Sequence, residues 1–300
     1  MDQERFVKEL TEMVGQVPEK VEVLSLQQPT LDDVERRMQR LLGLVGERTG
    51  TQPERHDLVR EQDRSVFRLP LGARLVGYHA SGAVKFTSGL RPMEKLIGAE
   101  RDPQELLDVI RPVAELLDLP SWAGTEGELQ FERLWQIKAC AAHREGSRAE
   151  TVVCRATGAF RHVIRGLPVW GPASAVVQVG GDSAIDTISI VTRATGEVVD
   201  ASQPIQPAEG AQLVVRQLSG LIPEAGRQFM DTATPISFRF GYVSLPKRVQ
   251  QRFLAPAYVA EVRTEGEESM RYLAAVSATE KEFLPLPRVG EMPAIAVRRE

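Results

Sequence analysis

Apolar residues recur along this chain with two periods, and the switches between them divide it into elements. Phe6, Val7, Leu10 and Met13 keep helical spacing, so residues 3–14 are expected to form a surface helix with one inward stripe. Val21, Val23 and Leu24 alternate with polar residues, which predicts a short strand over 20–26. Thr30 ahead of Asp32 and Asp33 reads as an N-cap with an acidic first turn, opening a helix that should run to about Val45 and stop at Gly46. Period two returns in residues 65–69 and 73–78, and Ser81-Gly82 supplies a turn into 83–86.

The pattern then repeats. Asp102-Pro103 opens a helix predicted to reach Leu119, with a kink or break near Asp108 imposed by Pro112. Strands are expected at 129–143, 149–155, 159–165, 173–179 and 185–191, the last two joined by the turn Gly180-Gly181-Asp182-Ser183. A third helix spans 207–222 and ends at Pro223. A strand at 235–245, a short helix between Pro246 and Pro256, and a hairpin of 257–263 with 270–277 complete the pattern. The proline-bearing tail from Glu280 should be extended.

Three helix ends carry related phrases: Leu41-Leu42-Gly43-Leu44, Leu116-Leu117-Asp118-Leu119 and Leu218-Ser219-Gly220-Leu221. Leu69-Pro70-Leu71-Gly72 and Leu167-Pro168-Val169-Trp170-Gly171 are related corners, each preceding a strand, a turn and a return strand. The expected fold class is therefore α+β, with three diverged units that each pack a helix on an antiparallel β-meander. Their expected limits are 1–98, 99–203 and 204–300.

Charge narrows the partners. The 300 residues carry a net charge of −4, with 37 basic and 41 acidic side chains interspersed, so no basic stripe for nucleic acid is visible. No stretch approaches a membrane span, and Met1 to Lys20 mixes charge with helical spacing unlike a signal peptide. A cytoplasmic location is expected. Cys140 and Cys154 flank a predicted hairpin turn near residues 145–147, and the default in a reducing compartment is two free thiols. None of the four histidines sits at metal-ligand spacing with another, so neither a metal nor a cofactor is expected.

Strong catalytic motifs are missing. The glycines at 180 and 181 lie between strands and open no helix, so a tight turn explains them better than a phosphate loop. Cys140 and His143, three apart on a predicted strand, should face opposite sides and cannot act as nucleophile and base. The same period sends Phe160, His162 and Ile164 to one face and Arg161, Val163 and Arg165 to the other. His162 then points among apolar neighbours, as a core histidine or as a general base. Trp170, at a corner between prolines and glycines, packs on the sheet or faces a ligand. Lys138, Arg155, Arg161, Arg165 and Arg239 guard strands, or form an anion site if several share a face.

The run Gly166-Leu167-Pro168-Val169-Trp170-Gly171, followed by a strand through Val176 and Val179, a turn at Gly181-Asp182 and a strand from Ile185, resembles PepSY-like and peptidase-propeptide domains. The resemblance covers mainly residues 159–192. It implies a helix against an antiparallel sheet that holds a polypeptide and performs no chemistry. The leading expectation is thus a non-catalytic cytoplasmic module binding a peptide or protein through Trp170, Arg161, Arg165 and Arg239. The alternative is a cofactor-free enzyme of cyclase, isomerase or hydrolase type. It would act on a small metabolite in a pocket between the second and third units, using His162, Tyr242 and Glu132.

Overall fold

The computed structural model describes residues 3–49, 58–140, 150–172, 174–221, 233–264 and 270–286. Among them the chain is a mixed α+β fold with four α-helices and a large, mainly antiparallel sheet. Helix α1 (Gln3–Met13) and strand β1 (Val21–Leu26) lead into α2 (Leu31–Thr49). A meander follows: β2 (Leu58–Arg60), β3 (Arg64–Arg68), β4 (Arg74–Tyr78) and β5 (Val84–Thr87). Helix α3 (Pro103–Leu116) precedes β6 (Gly127–Ala139), β7 (Val152–Ile164), β8 (Leu167–Trp170), β9 (Ser174–Val179), β10 (Ile185–Ile190) and β11 (Thr195–Ser202). Helix α4 (Pro207–Leu221) is followed by β12 (Ala233–Val243), β13 (Phe253–Leu254), β14 (Pro256–Thr264) and β15 (Arg271–Ser277).

The helix starts follow from their caps. Thr30 Oγ1 accepts the Asp33 N–H at 3.2 Å while the Asp33 carboxylate accepts the Thr30 N–H at 3.0 Å, a reciprocal box that satisfies two end donors of α2. Asp102 Oδ1 does the same for the Glu105 N–H of α3 at 2.9 Å. The expected stops fare less well. Helix α2 continues through Gly46 to Thr49, because a helical glycine costs only about 1 kcal/mol and the buried stripe of Val34, Met38, Leu41 and Val45 outweighs it. Pro112 does not break α3. The carbonyl it orphans belongs to exposed Asp108, where water can serve it, while Leu106, Ile110 and Val113 hold the helix to the core.

Two further expectations are corrected, and one strand, β11, lay outside any expectation. The strands expected at 149–155 and 159–165 are not separate: Val152–Ile164 forms one long strand, β7, because the sheet pairs it continuously with β6. Strand β11 carries exposed Val198 and Val199 and so shows no one-sided alternation for a sequence reading to find. The helix predicted from Pro246 is absent. Its backbone groups are met by side chains instead: buried Gln251 bonds Leu245 N, Val243 O and Phe253 O, and Arg193 donates to the carbonyls of Leu245, Pro246 and Val249. The predicted turn at 145–147 lies outside the described residues.

The sheet runs β15-β14-β12-β8-β7-β9-β10-β5-β4-β3-β2, with β6 beside β7, and a small second sheet orders β11-β1-β13. Helices α2 and α3 cover β4, β5, β7 and β9 over one core, and α1 with α4 covers β12, β14 and β15 over another. Helix α1 was grouped with the first unit on sequence grounds, yet Phe6 and Leu10 pack with Val214, Leu218, Phe238 and Tyr258 of the third. The two halves of the large sheet meet where β8 runs parallel to β12, pairing Val169 with Tyr242 and Trp170 with Val243. Gly241 makes that approach possible, since a Cβ there would stand 2.3 Å from the Pro168 carbonyl oxygen. No helix among the described residues is long and apolar enough to cross a membrane.

Candidate functional site

Strands β7 and β8 are joined by only two residues, Arg165 and Gly166, both at positive φ (49° and 78°), the backbone a tight two-residue hairpin turn needs. The turn fixes which side chains share a face. Alternation along β7 sends His162 toward Ala123, beyond the end of α3, and Arg161 to the opposite, helix-free face. On that face a row of side chains crosses four strands. Glu132 sits at a bulge in β6, where its two carboxylate oxygens accept Arg161 Nη2 at 2.6 and 2.7 Å. The Arg161 guanidinium lies 4.9 Å from the ring centre of Trp170 on β8, and Arg239 of β12 lies 5.1 Å from the same ring. Trp170 Nε1 donates to the Phe240 carbonyl at 3.1 Å, which locks the indole between the two cations.

Each stacked cation is worth roughly 0.5–2 kcal/mol depending on how dry it is. Arg161, largely shielded and held by Glu132 and the Val169 carbonyl, belongs to the scaffold. Arg239 is exposed and makes no ion pair among the described residues, so its charge is available to a ligand.

The row begins at an open edge. Among the described residues the 13-residue strand β6 pairs with β7 alone. It exposes Phe131 (48%), Trp135 (38%) and Ile137 (41%), far more apolar surface than a solvated strand needs. Phe131 rests edge-to-face on Phe160 at 5.7 Å, and Arg133 stacks on Trp135 at 5.2 Å.

Of the four binding residues expected from the sequence, Arg161, Trp170 and Arg239 thus come together. Arg165 does not. It stands at the hairpin turn, bonded to Glu126 and Glu22, and clamps β1 to the large sheet; these two carboxylates raise its basicity. The candidate catalysts do not converge either. His162 is 1% exposed and its Nε2 meets the Ala123 carbonyl at 3.0 Å, so Nε2 carries the proton; burial, opposed by that bond and helped by the nearby Arg37 charge, holds its pKa below the ordinary imidazole value. Tyr242 is buried, donates to the Glu22 carbonyl at 3.0 Å, and is pushed up to about 12 by burial. Glu132 is bound by Arg161 on the far face of β7 from His162.

The strand cations do not pool into an anion site, because all but Arg239 found a local carboxylate. Arg155, 4% exposed, contacts Asp186 at 3.2 Å and donates to the carbonyls of Arg91, Glu94 and Cys154; Lys138 meets Glu100 at 2.5 Å. Cys154 is buried and Cys140 exposed, while His143 lies outside the described residues. No cluster of histidine, cysteine and carboxylate suited to a metal occurs among the described residues. Sequence reasoning overlooked the β6 edge. The signal was there, since Phe131, Leu134, Trp135 and Ile137 place apolar residues on both parities of one strand.

No protein-family model matches the chain, and no curated protein sequence matches it. Among solved structures it is similar to the crystal structure of an uncharacterized protein from Eubacterium rectale, with a TM-score of 0.56 at 9% identity, covering 95% of this chain and 99% of that one. At that identity the likeness extends to the fold alone.

Proposed function

We propose that this chain is a non-catalytic module that binds a peptide or protein partner in extended form along β6, with a further part of the partner continuing over the helix-free face to Trp170 and Arg239, which lie two and three strands in from β6. The observation that carries the reading is the row from the β6 edge, open among the described residues, through Glu132, Arg161 and Trp170 to Arg239, which has no ion pair among them. A strand added at such an edge gains affinity from backbone hydrogen bonds, and alternate side chains supply selectivity. Exposed Phe131, Trp135 and Ile137 would be covered in the complex, and Arg239 favours an acidic residue in the partner.

The PepSY-like phrase supports this reading, as do packed units of helix and meander: α2 over β4 and β5, α3 over β7 and β9, α4 over β14 and β15. We read these as three diverged copies of one design. The net charge of −4 favours a polypeptide over nucleic acid, and the cytoplasm is the expected place of action.

The test is capture from native lysate followed by hydrogen exchange on the complex with the captured polypeptide. Added protection should appear in β6, and capture should be lost with Trp170→Ala, Arg239→Glu and Trp135→Ser. If the wild type retains no polypeptide, or β6 exchanges unchanged in the complex, the reading is wrong.

A further inference from the structure

The other face of β7 leads to a recess that gathers cations with no carboxylate among the described residues to neutralise them. Arg37 and Arg40, neighbours at i,i+3 on α2, form one wall of a recess of about 190 Å³; the rest comes from residues 121–124 after α3 and 192–194 after β10. Arg37 donates to Thr192 Oγ1 at 2.8 Å and to the Thr192 carbonyl at 3.3 Å, and Arg40 donates to the Ser121 hydroxyl and carbonyl. Both guanidinium groups face the ring of Trp122, at 5.4 and 4.3 Å. The indole N–H is already used on the Leu117 carbonyl, so the ring serves the recess as a wall. Arg193, 7% exposed, stands behind and spends its terminal nitrogens on four backbone carbonyls.

None of the three has a carboxylate within ion-pair distance among the described residues, and the charge of Arg40 acts against that of Arg37. The Nε–H groups of Arg37 and Arg193 are buried without a hydrogen-bond acceptor, as are those of Arg155, Arg161 and Arg263, so it is the missing carboxylate that sets this group apart. Carbonyls and hydroxyls hold these head groups in place but leave their charge uncompensated, which is costly for the shielded Arg37 and Arg193. Elsewhere in the protein, shielded arginines such as Arg155 and Arg161 have their anion built in.

We infer that this recess binds one oxyanion group, a phosphate or a carboxylate, of a small ligand. Guanidinium forks match both anions in geometry and charge. The volume is below the roughly 300–1,000 Å³ of pockets that enclose a whole drug-sized ligand, so the recess takes the anionic head and leaves the remainder outside. The inference does not depend on the polypeptide reading, since His162 and the body of β7 separate this recess from the Trp170 row.

The experiment is calorimetric titration of the full chain with inorganic phosphate and, separately, with succinate, at ionic strength held constant with sodium chloride. Saturable binding of at least one anion is expected, and whichever binds identifies the head group. Arg40→Gln should weaken it about tenfold or more, the effect of losing one charge-assisted hydrogen bond. Arg40 is exposed, so this variant keeps its fold even if Arg37→Lys does not. Absence of saturable binding by either anion, or binding unchanged in Arg40→Gln, overturns the inference.

Discussion

Arg155, Arg161 and Arg165 on or beside β7 each meet a carboxylate; Arg37, Arg40 and Arg193, gathered beyond its other face, meet none among the described residues. The first group is finished as it stands. Asp186, Glu132, Glu126 and Glu22 neutralise it, and its work is to tie β6, β8, β10 and β1 together around one strand. In the second group, neutral oxygens position the head groups and the charge is left over. The contrast teaches that an arginine's role depends less on its burial than on whether the fold supplies its counter-charge.

The largest effect should come from breaking a finished pair. Asp186→Asn keeps the shape but leaves Arg155 charged, 4% exposed and served only by carbonyls, so unfolding in denaturant should show a loss of about 3–5 kcal/mol at unchanged slope. A loss under about 1 kcal/mol would show that carbonyls suffice for a buried guanidinium, and the contrast between the two groups would collapse.

An intermediate effect is expected from His162, whose Ala123 partner lines the unneutralised recess. Its folded pKa is depressed below the ordinary 6.5, by burial first and by the Arg37 charge in addition. The unfolded chain therefore takes up the proton before the folded protein does, and stability falls as pH drops from 7 through 6.5 and on toward the folded pKa. His162→Gln, which can still donate to Ala123, should flatten that part of the stability profile. Equal slopes in the two proteins would rule out this linkage. An anion bound beside Arg37 would offset part of its charge, so phosphate or succinate should shift the midpoint upward if either occupies the recess.

The smallest effect belongs to Arg165→Ala. Its ion pairs with Glu126 and Glu22 are well formed, but all three side chains are about a third exposed, so about 1 kcal/mol or less is expected from thermal unfolding. A larger loss would mean that the clamp on β1 acts through packing of the arginine stem and not through charge.

The sequence by itself determined the α+β class and most of the elements, though not the continuity of β7, strand β11 or the loop after Pro246. Caps at Thr30 and Asp102, the alternation through β9, β10, β12 and β14, and the three similar helix ends are local signals, because capping and periodicity depend on neighbours a few residues away. Arg161, Trp170 and Arg239 could be picked out as candidates, as charges and an indole placed where strands should be. What only the tertiary structure decided was which residues met. That Trp170 lies between Arg161 and Arg239 depends on β8 pairing with a strand some 70 positions later in the chain, across an approach that Gly241 leaves open. That Arg155 is neutralised and Arg37 is not depends on which carboxylates the sheet register carries to each. Charge compensation acts through distances of a few ångströms in space, and a sequence gives no such distance between residues far apart in the chain.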